Sequence, residues 1–264
     1  MTIPPDWLKE LSDFCDKYDM QIEYLAKVLN TPKVIPMIRG KAFEFSLKDR
    51  LEKILPQNDW KISNPYMNAQ TSLHDIDVEI IHLKTQKRYS IECKLAKKGS
   101  FKKNNDNYFI QVKCMRSRTL GIEVAKKRAE KSGENYEFLI IHNDQYKPTD
   151  FNFVITSIGN AFYETDKEGV FFWSPKALSE DFFKLIGAKS QRDVFNKMYI
   201  ARSYELSSTD KNGISCTRKK CGTKTNCGFI PNYPVIKFDS NTGKPLPPWY
   251  EIEEIEKVIL GSDF

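Results

Sequence analysis

No stretch of this 264-residue chain approaches the roughly 20 consecutive apolar residues that a membrane-crossing helix needs. The opening MTIPPDWLKELSDF places acids where a secretory signal peptide requires an apolar block, so the chain is expected to be cytoplasmic, with no membrane partner. Histidine is scarce. His74, His82 and His142 are too scattered for an HNH-type centre and read as structural or exposed. No Walker-type glycine–lysine loop and no Rossmann glycine fingerprint is present, which disfavours an ATP-driven motor or a dehydrogenase. Six cysteines in a cytoplasmic chain are expected as thiols, not disulfides.

Acids and short apolar alternations are present where they matter. In DIDVEIIHLKTQKRYSIECK, residues 75–94, Ile76, Val78 and Ile80 alternate with Asp75, Asp77 and Glu79, the period of a strand. Ile91, Cys93 and Leu95 then share a face opposite Glu92 and Lys94. Centring the turn on Thr85 and Gln86 pairs Asp77 with Lys94 and Glu79 with Glu92, which gathers acids and lysine on one face. A solvent-facing amphipathic hairpin would show the same alternation.

Converging carboxylates suit phosphodiester hydrolysis. Mg²⁺ favours one or two carboxylates together with waters and phosphate oxygens. Asp77 and Glu92 are candidate ligands, and Lys94 is placed to orient a water and offset developing charge.

The acid followed by Glu92-Cys93-Lys94 resembles the PD-(D/E)xK nucleases, with no proline before the acid. Asp75 and Asp77 both fit the first acid, with Asp77 favoured because it directly precedes the alternating run. The resemblance covers residues 35–160. It implies an α/β (α+β) fold, a restriction-endonuclease-like mixed central sheet flanked by helices, in the order helix, hairpin, helix, strand, strand. It also implies a further catalytic glutamate on the helix before the hairpin. Residues 40–55 carry Phe43, Leu47, Leu51 and Ile54 at helical spacing, which makes Glu44 that candidate. A carboxylate early in a helix is equally explained by the helix dipole.

Elsewhere the pattern suggests N-terminal helices over 5–29, broken at Thr31-Pro32 and Ile35-Pro36, one or two helices over 107–131, and strands at 136–142 and 151–158. The N-terminal helices are expected to cover one side of the core, a dimer surface being the alternative. Residues 97–107 read as an exposed polar loop, Ser174-Pro175 or Ser179 as a helix start, and MYIARSYELSS as a further strand. A net charge of +6 is modest, but cations cluster after the motif and at Arg218, Lys219, Lys220 and Lys224. Such clusters neutralise phosphates. Lys97, Lys98, Lys102, Lys103, Asn104, Asn105, Gln111 and Arg116 are the candidate DNA contacts.

Cys216, Cys221 and Cys227 have four and five residues between them, and a zinc site would need a fourth ligand from Cys15, Cys114 or a histidine. Cys15 followed by these three also matches the order of the iron–sulfur ligands in RecB-like members of the same superfamily. Reduced structural cysteines are the plain alternative.

The expectation is one nuclease domain over 1–264, with N-terminal helices in 1–34, the catalytic core in 35–160 and a C-terminal elaboration, a candidate DNA-recognition region, in 161–264. Its expected activity is that of a Mg²⁺-dependent type II restriction endonuclease acting on double-stranded DNA as a homodimer. The alternatives are a structure-specific repair or recombination nuclease and a noncatalytic DNA-binding protein with a nuclease-like core.

Overall fold

The computed structural model describes residues 5–65, 76–104, 106–116, 119, 121–133 and 135–261. The chain opens with α1 (Pro5–Lys17), α2 (Ile22–Leu29) and α3 (Ile35–Ile54), then forms β1 (Trp60–Ser63), β2 (Val78–His82) and β3 (Arg88–Leu95). A short hairpin, β4 (Lys102–Asn104) and β5 (Asn107–Gln111), precedes α4 (Ile122–Ser132), α5 (Tyr136–Ile141) and β6 (Phe153–Ser157). The last hundred residues carry β7 (Tyr163–Thr165), β8 (Phe171–Trp173), α6 (Ala177–Leu185), α7 (Gln191–Phe195), β9 (Met198–Arg202), β10 (Val235–Asp239), β11 (Tyr250–Glu251) and α8 (Ile255–Leu260). The fold is mixed α/β, with eight helices among the described residues.

The central sheet has six strands in the order β1-β2-β3-β6-β9-β11. Only β3 and β6 run parallel, and α4 and α5 lie in the connection between them. Parallel neighbours need a crossover of this kind. Separate apolar clusters cover the two faces of the sheet. On one side, Phe43, Leu47 and Leu51 of α3 and Ile255, Val258 and Ile259 of α8 pack on Val78, Ile80, Ile91, Phe153 and Ile155. On the other, Val154 and Tyr199 meet Tyr108, Ile110, Phe182, Phe238 and Trp249. Strand β6, buried at every position, supplies residues to both.

Helix α3 follows from its buried stripe, Phe43, Leu47 and Leu51, one residue per turn. It begins at Ile35, earlier than the expected residue 40. Pro36 starts the helix instead of breaking the chain, because a first-turn N–H has no intrahelical partner to lose.

Three other expectations need correction. Residues 107–111 form a strand, since Tyr108, Ile110 and Val112 are buried at period two and β5 pairs with both β4 and β10. The expected helices over 107–131 therefore reduce to α4. Residues 136–141 form a helix, because the Asn135 side chain accepts from the N–H groups of Glu137 and Phe138 and caps it. The polar loop at 97–107 contains β4. Residues 151–158 do hold a strand, as do residues 198–202, and α6 begins just past Ser174-Pro175.

The N-terminal helices cover little of the core. Cys15 is buried, but α2 buries no residue, and Trp7, Leu8, Phe14, Tyr18, Ile22 and Tyr24 are exposed.

Leu47→Ala removes a fully buried side chain between α3 and the sheet. It is expected to cost about 2–5 kcal/mol, read as a lower urea midpoint with an unchanged m value.

Candidate metal and catalytic centres

The first centre lies where β2 begins and β3 ends. Val78 faces Ile91, Glu79 faces Ser90 and Ile80 faces Tyr89, so one step back Asp77 faces Glu92. This register is two residues from the expected one. An even shift keeps every side chain on its face. The loop at 83–86 absorbs the difference: His82 N–H donates to Lys87 O (2.9 Å), Gln86 N–H donates to His82 O (2.8 Å), and Gln86 adopts φ +56°. Glu79 consequently pairs with Arg88 at 3.3 Å and stands away from Glu92.

Asp77 Oδ2 accepts the Cys93 N–H at 2.8 Å, and the Asn64 side chain donates to the Asp77 carbonyl at 2.9 Å. Glu92 is buried. Its Oε1 accepts from the Tyr146 hydroxyl at 2.7 Å and pairs with Lys94 Nζ, which lies over the Tyr146 ring, 5.3 Å from its centroid. Glu44 approaches from α3 and pairs with Lys41 at 2.5 Å. Asp77, Glu92, Lys94 and Glu44 thus form one electrostatic group.

Their protonation reflects it. Burial, then the negative charge of Glu92, pushes the Asp77 carboxyl up from 3.8 to about 7, against opposing contributions from Lys94 and the Cys93 N–H. Burial also raises Glu44, with Lys41 opposing. For Lys94, burial alone would lower the pKa, but Glu92, Tyr146 and Asp77 outweigh it and hold the ammonium well above its usual range. Lys94 is a fixed cation here.

Tyr146, which sequence reasoning did not single out, links this group to the interior. Arg116 stacks 4.7 Å from its ring centroid, and Asp150 takes both Arg116 (2.5 Å) and Arg128 (2.8 Å). Arg116 was a candidate DNA contact. Its side chain is only 9% exposed and committed to Asp150, so it positions Tyr146 instead.

The remaining candidates divide. Lys102, Lys103 and Asn104 are exposed on β4. Lys97 donates to Gln111 (3.1 Å) and lies over Tyr233, while Lys98 bonds Thr165 and lies over Phe171. Asp75, His74 and Asn105 lie outside the described residues. A cleft of about 570 Å³ lined by Asp49, Arg50, Lys53, Arg192, Lys197 and Glu251, among others, includes none of Asp77, Glu92 and Lys94.

A second centre lies in the C-terminal region. The ligand atoms of His142, Cys216, Cys221 and Cys227 all lie within 4.8 Å of one another, and all four residues are buried. This group can hold a metal ion such as Zn²⁺. Cys15 and Cys114 do not belong to it. The fourth ligand is a histidine 74 positions before Cys216, beyond any spacing signal, at the end of a segment whose period suggested a strand. Burial, together with the neighbouring thiols, pushes the Cys216 thiol up to about 12, and burial lowers His142.

Asp77→Asn tests the electrostatics of the first centre. Unfolded Asp77 loses its proton near 3.8 and folded Asp77 near 7, so without divalent cations the carboxyl erodes stability as pH rises through that window. The variant is expected to match wild type near pH 4 and to exceed it by on the order of 2–4 kcal/mol at pH 8 in chelator, measured by urea unfolding.

No protein-family model, no curated protein and no solved structure matches this chain.

Proposed function

We propose that the protein is a Mg²⁺-dependent DNA endonuclease of the PD-(D/E)xK type and, within that class, a type II restriction enzyme. The observation that carries this reading is Asp77 set opposite Glu92 where β2 begins and β3 ends, with Lys94 beside Glu92 on the same face. The order α3, hairpin β2–β3, α4 and α5, then β6 and β9, supports a restriction-endonuclease-like core.

The donor set fits a hard divalent cation. Asp77 and Glu92 offer oxygen ligands, and a dication would offset the charge that Glu92 adds to the burial already raising the Asp77 pKa. Bound between them, Mg²⁺ would supply charge neutralisation for the scissile phosphate and acidify a water. The protein's own groups do the rest. Lys94, a cation beside Glu92, donates a hydrogen bond that aims the attacking water and offsets charge gathering on the phosphate oxygens. Tyr146 holds Glu92 in place. Glu44 adds a third carboxylate to the field, tempered by Lys41.

Double-stranded DNA as substrate is supported by exposed cations on two segments, Lys102 and Lys103 on β4 and Lys219, Lys220 and Lys224 in the C-terminal loop. Incubation with phage DNA and Mg²⁺ is expected to give discrete fragments with 5′-phosphate ends, and none in chelator. Lys94→Ala is expected to slow cutting by at least about 100-fold while leaving DNA affinity nearly unchanged in a gel-shift assay. Cleavage confined to branched or flapped substrates would replace the restriction reading with a structure-specific nuclease. Binding without cutting by the wild-type protein would leave a noncatalytic DNA-binding protein.

A homodimer in which each subunit cuts one strand is supported by the exposed apolar residues of α1 and α2. Sedimentation is expected to give twice the 30.7 kDa chain mass, and Trp7→Glu to shift it toward monomer.

A further inference from the structure

We propose that His142, Cys216, Cys221 and Cys227 form a closed, four-coordinate structural Zn²⁺ site that staples the basic loop at 207–231 to the segment carrying Tyr146. The imidazole is already prepared for it. His142 Nδ1 lies 2.8 Å from the Phe138 carbonyl, which can only accept, so Nδ1 carries the proton and Nε2 carries the lone pair. Nε2 is buried and has no hydrogen-bond partner. A buried imidazole nitrogen left unsatisfied beside three buried sulfurs needs an explanation, and a metal ion provides it.

Dimensions and chemistry agree on which ion. Bonds of roughly 2.0–2.1 Å to nitrogen and 2.3 Å to sulfur place the ligand atoms of a tetrahedral Zn²⁺ somewhat under 4 Å apart. The observed atoms, within 4.8 Å, close on an ion with small side-chain movements. An iron–sulfur cluster spreads its cysteines over separate irons and wants a wider cage. Three thiolates exclude Mg²⁺ or Ca²⁺. With all four positions filled by protein, no site is left for a substrate, which is the arrangement of a structural ion. The backbone is arranged to match: Arg218 N–H points at Cys216 Sγ (3.4 Å), a donor to the sulfur, and Cys216 N–H donates to Lys224 O (2.7 Å).

The loop itself supplies the remaining argument. Between Cys216 and Cys227 the sequence is TRKKCGTKTN, in which Cys221 is the one buried residue. Apart from the three cysteines, which pack against Leu139 and Phe229, nothing there buries apolar surface, so hydrophobic packing supports the loop only at the cysteines themselves. Small polar segments of this kind take their fold from the metal. Once closed, the loop presents Lys219, Lys220 and Lys224 to solvent, while Phe229 stacks on His142 at 4.4 Å. The staple is independent of the nuclease reading, since the ion contacts none of Asp77, Glu92 or Lys94.

The test is metal analysis of the full chain purified without chelator. One zinc per chain is expected, retained on dialysis against mild EDTA. Stripping it with a stronger chelator should lower the Tm, and added Zn²⁺ should restore it. Reloading with Co²⁺ is expected to give the strong visible bands of a tetrahedral, thiolate-rich site. His142→Cys should keep a full equivalent of metal with a shifted Co²⁺ spectrum, whereas His142→Ala should hold it substoichiometrically. The wild-type readouts stand even if a variant fails to fold. Wild-type protein that takes up neither Zn²⁺ nor Co²⁺, or that carries iron with acid-labile sulfide, would overturn the assignment.

Discussion

A carboxylate taken out of water must be given a proton or a cation, and at the end of the central sheet three carboxylates are placed where that choice is forced. Asp77 and Glu92 face one another across β2 and β3, and Glu44 reaches the same field from α3. Lys94 supplies one positive charge at Glu92, and Lys41 supplies one at Glu44. Asp77 is buried beside Glu92, and burial and that charge together outweigh Lys94 and the Cys93 N–H, so its carboxyl holds its proton to about pH 7. Such a site concentrates negative charge that a dication would offset. That crowding of charge is the physical basis of the proposed phosphodiester chemistry, since a dication that offset the acids would also attract a phosphate.

The hairpin was legible because it depends on parity. The strand alternation assigned Asp77, Glu92 and Lys94 to one face and Ile91, Cys93 and Leu95 to the other, and a register error of two residues left those assignments intact. What turn chemistry could not supply was the identity of the cross-strand partner. The loop closes at His82 and Lys87, with Gln86 in a left-handed conformation that its residue type does not advertise. The α3 stripe is equally readable, since Phe43, Leu47 and Leu51 lie one turn apart, although Pro36, a residue type that suggests a break, serves as a start.

The failures occurred where short segments take their structure from partners far along the chain. Residues 107–111 carry a strand period but too few residues to distinguish it from a helix turn, and their strand identity rests on pairing with β10, more than a hundred residues later. Residues 136–142 have the β-rich composition of a strand, yet the Asn135 cap and the packing of Leu139 against Cys216, Cys221, Cys227 and Phe229 make them a helix. That misreading also hid His142. In a strand it would have been one alternating residue among several, whereas at the end of α5 it faces the cysteines.

One stretch of nine residues carries both centres. His142 joins the cysteine group, the Gln145 side chain donates to Ile230 O at 3.0 Å, Tyr146 donates to Glu92, and Asp150 anchors Arg116 and Arg128. The C-terminal loop returns along the same stretch, with Ile230 N–H donating to Tyr146 O at 2.9 Å and Asn232 bonding Asp144 at 2.9 Å. The hydroxyl that bonds Glu92 is therefore held at one end by a buried ion-pair network and at the other by the buried Phe229–Ile230 end of a loop that is otherwise polar. A phenol that must keep a carboxylate oriented to within a fraction of an ångström needs supports that do not give. The loop that carries the three cysteines on one side and the Arg116 guanidinium stacked on the ring on the other provide them, so the long polar C-terminal region and the interior ion-pair network converge on the same tyrosine.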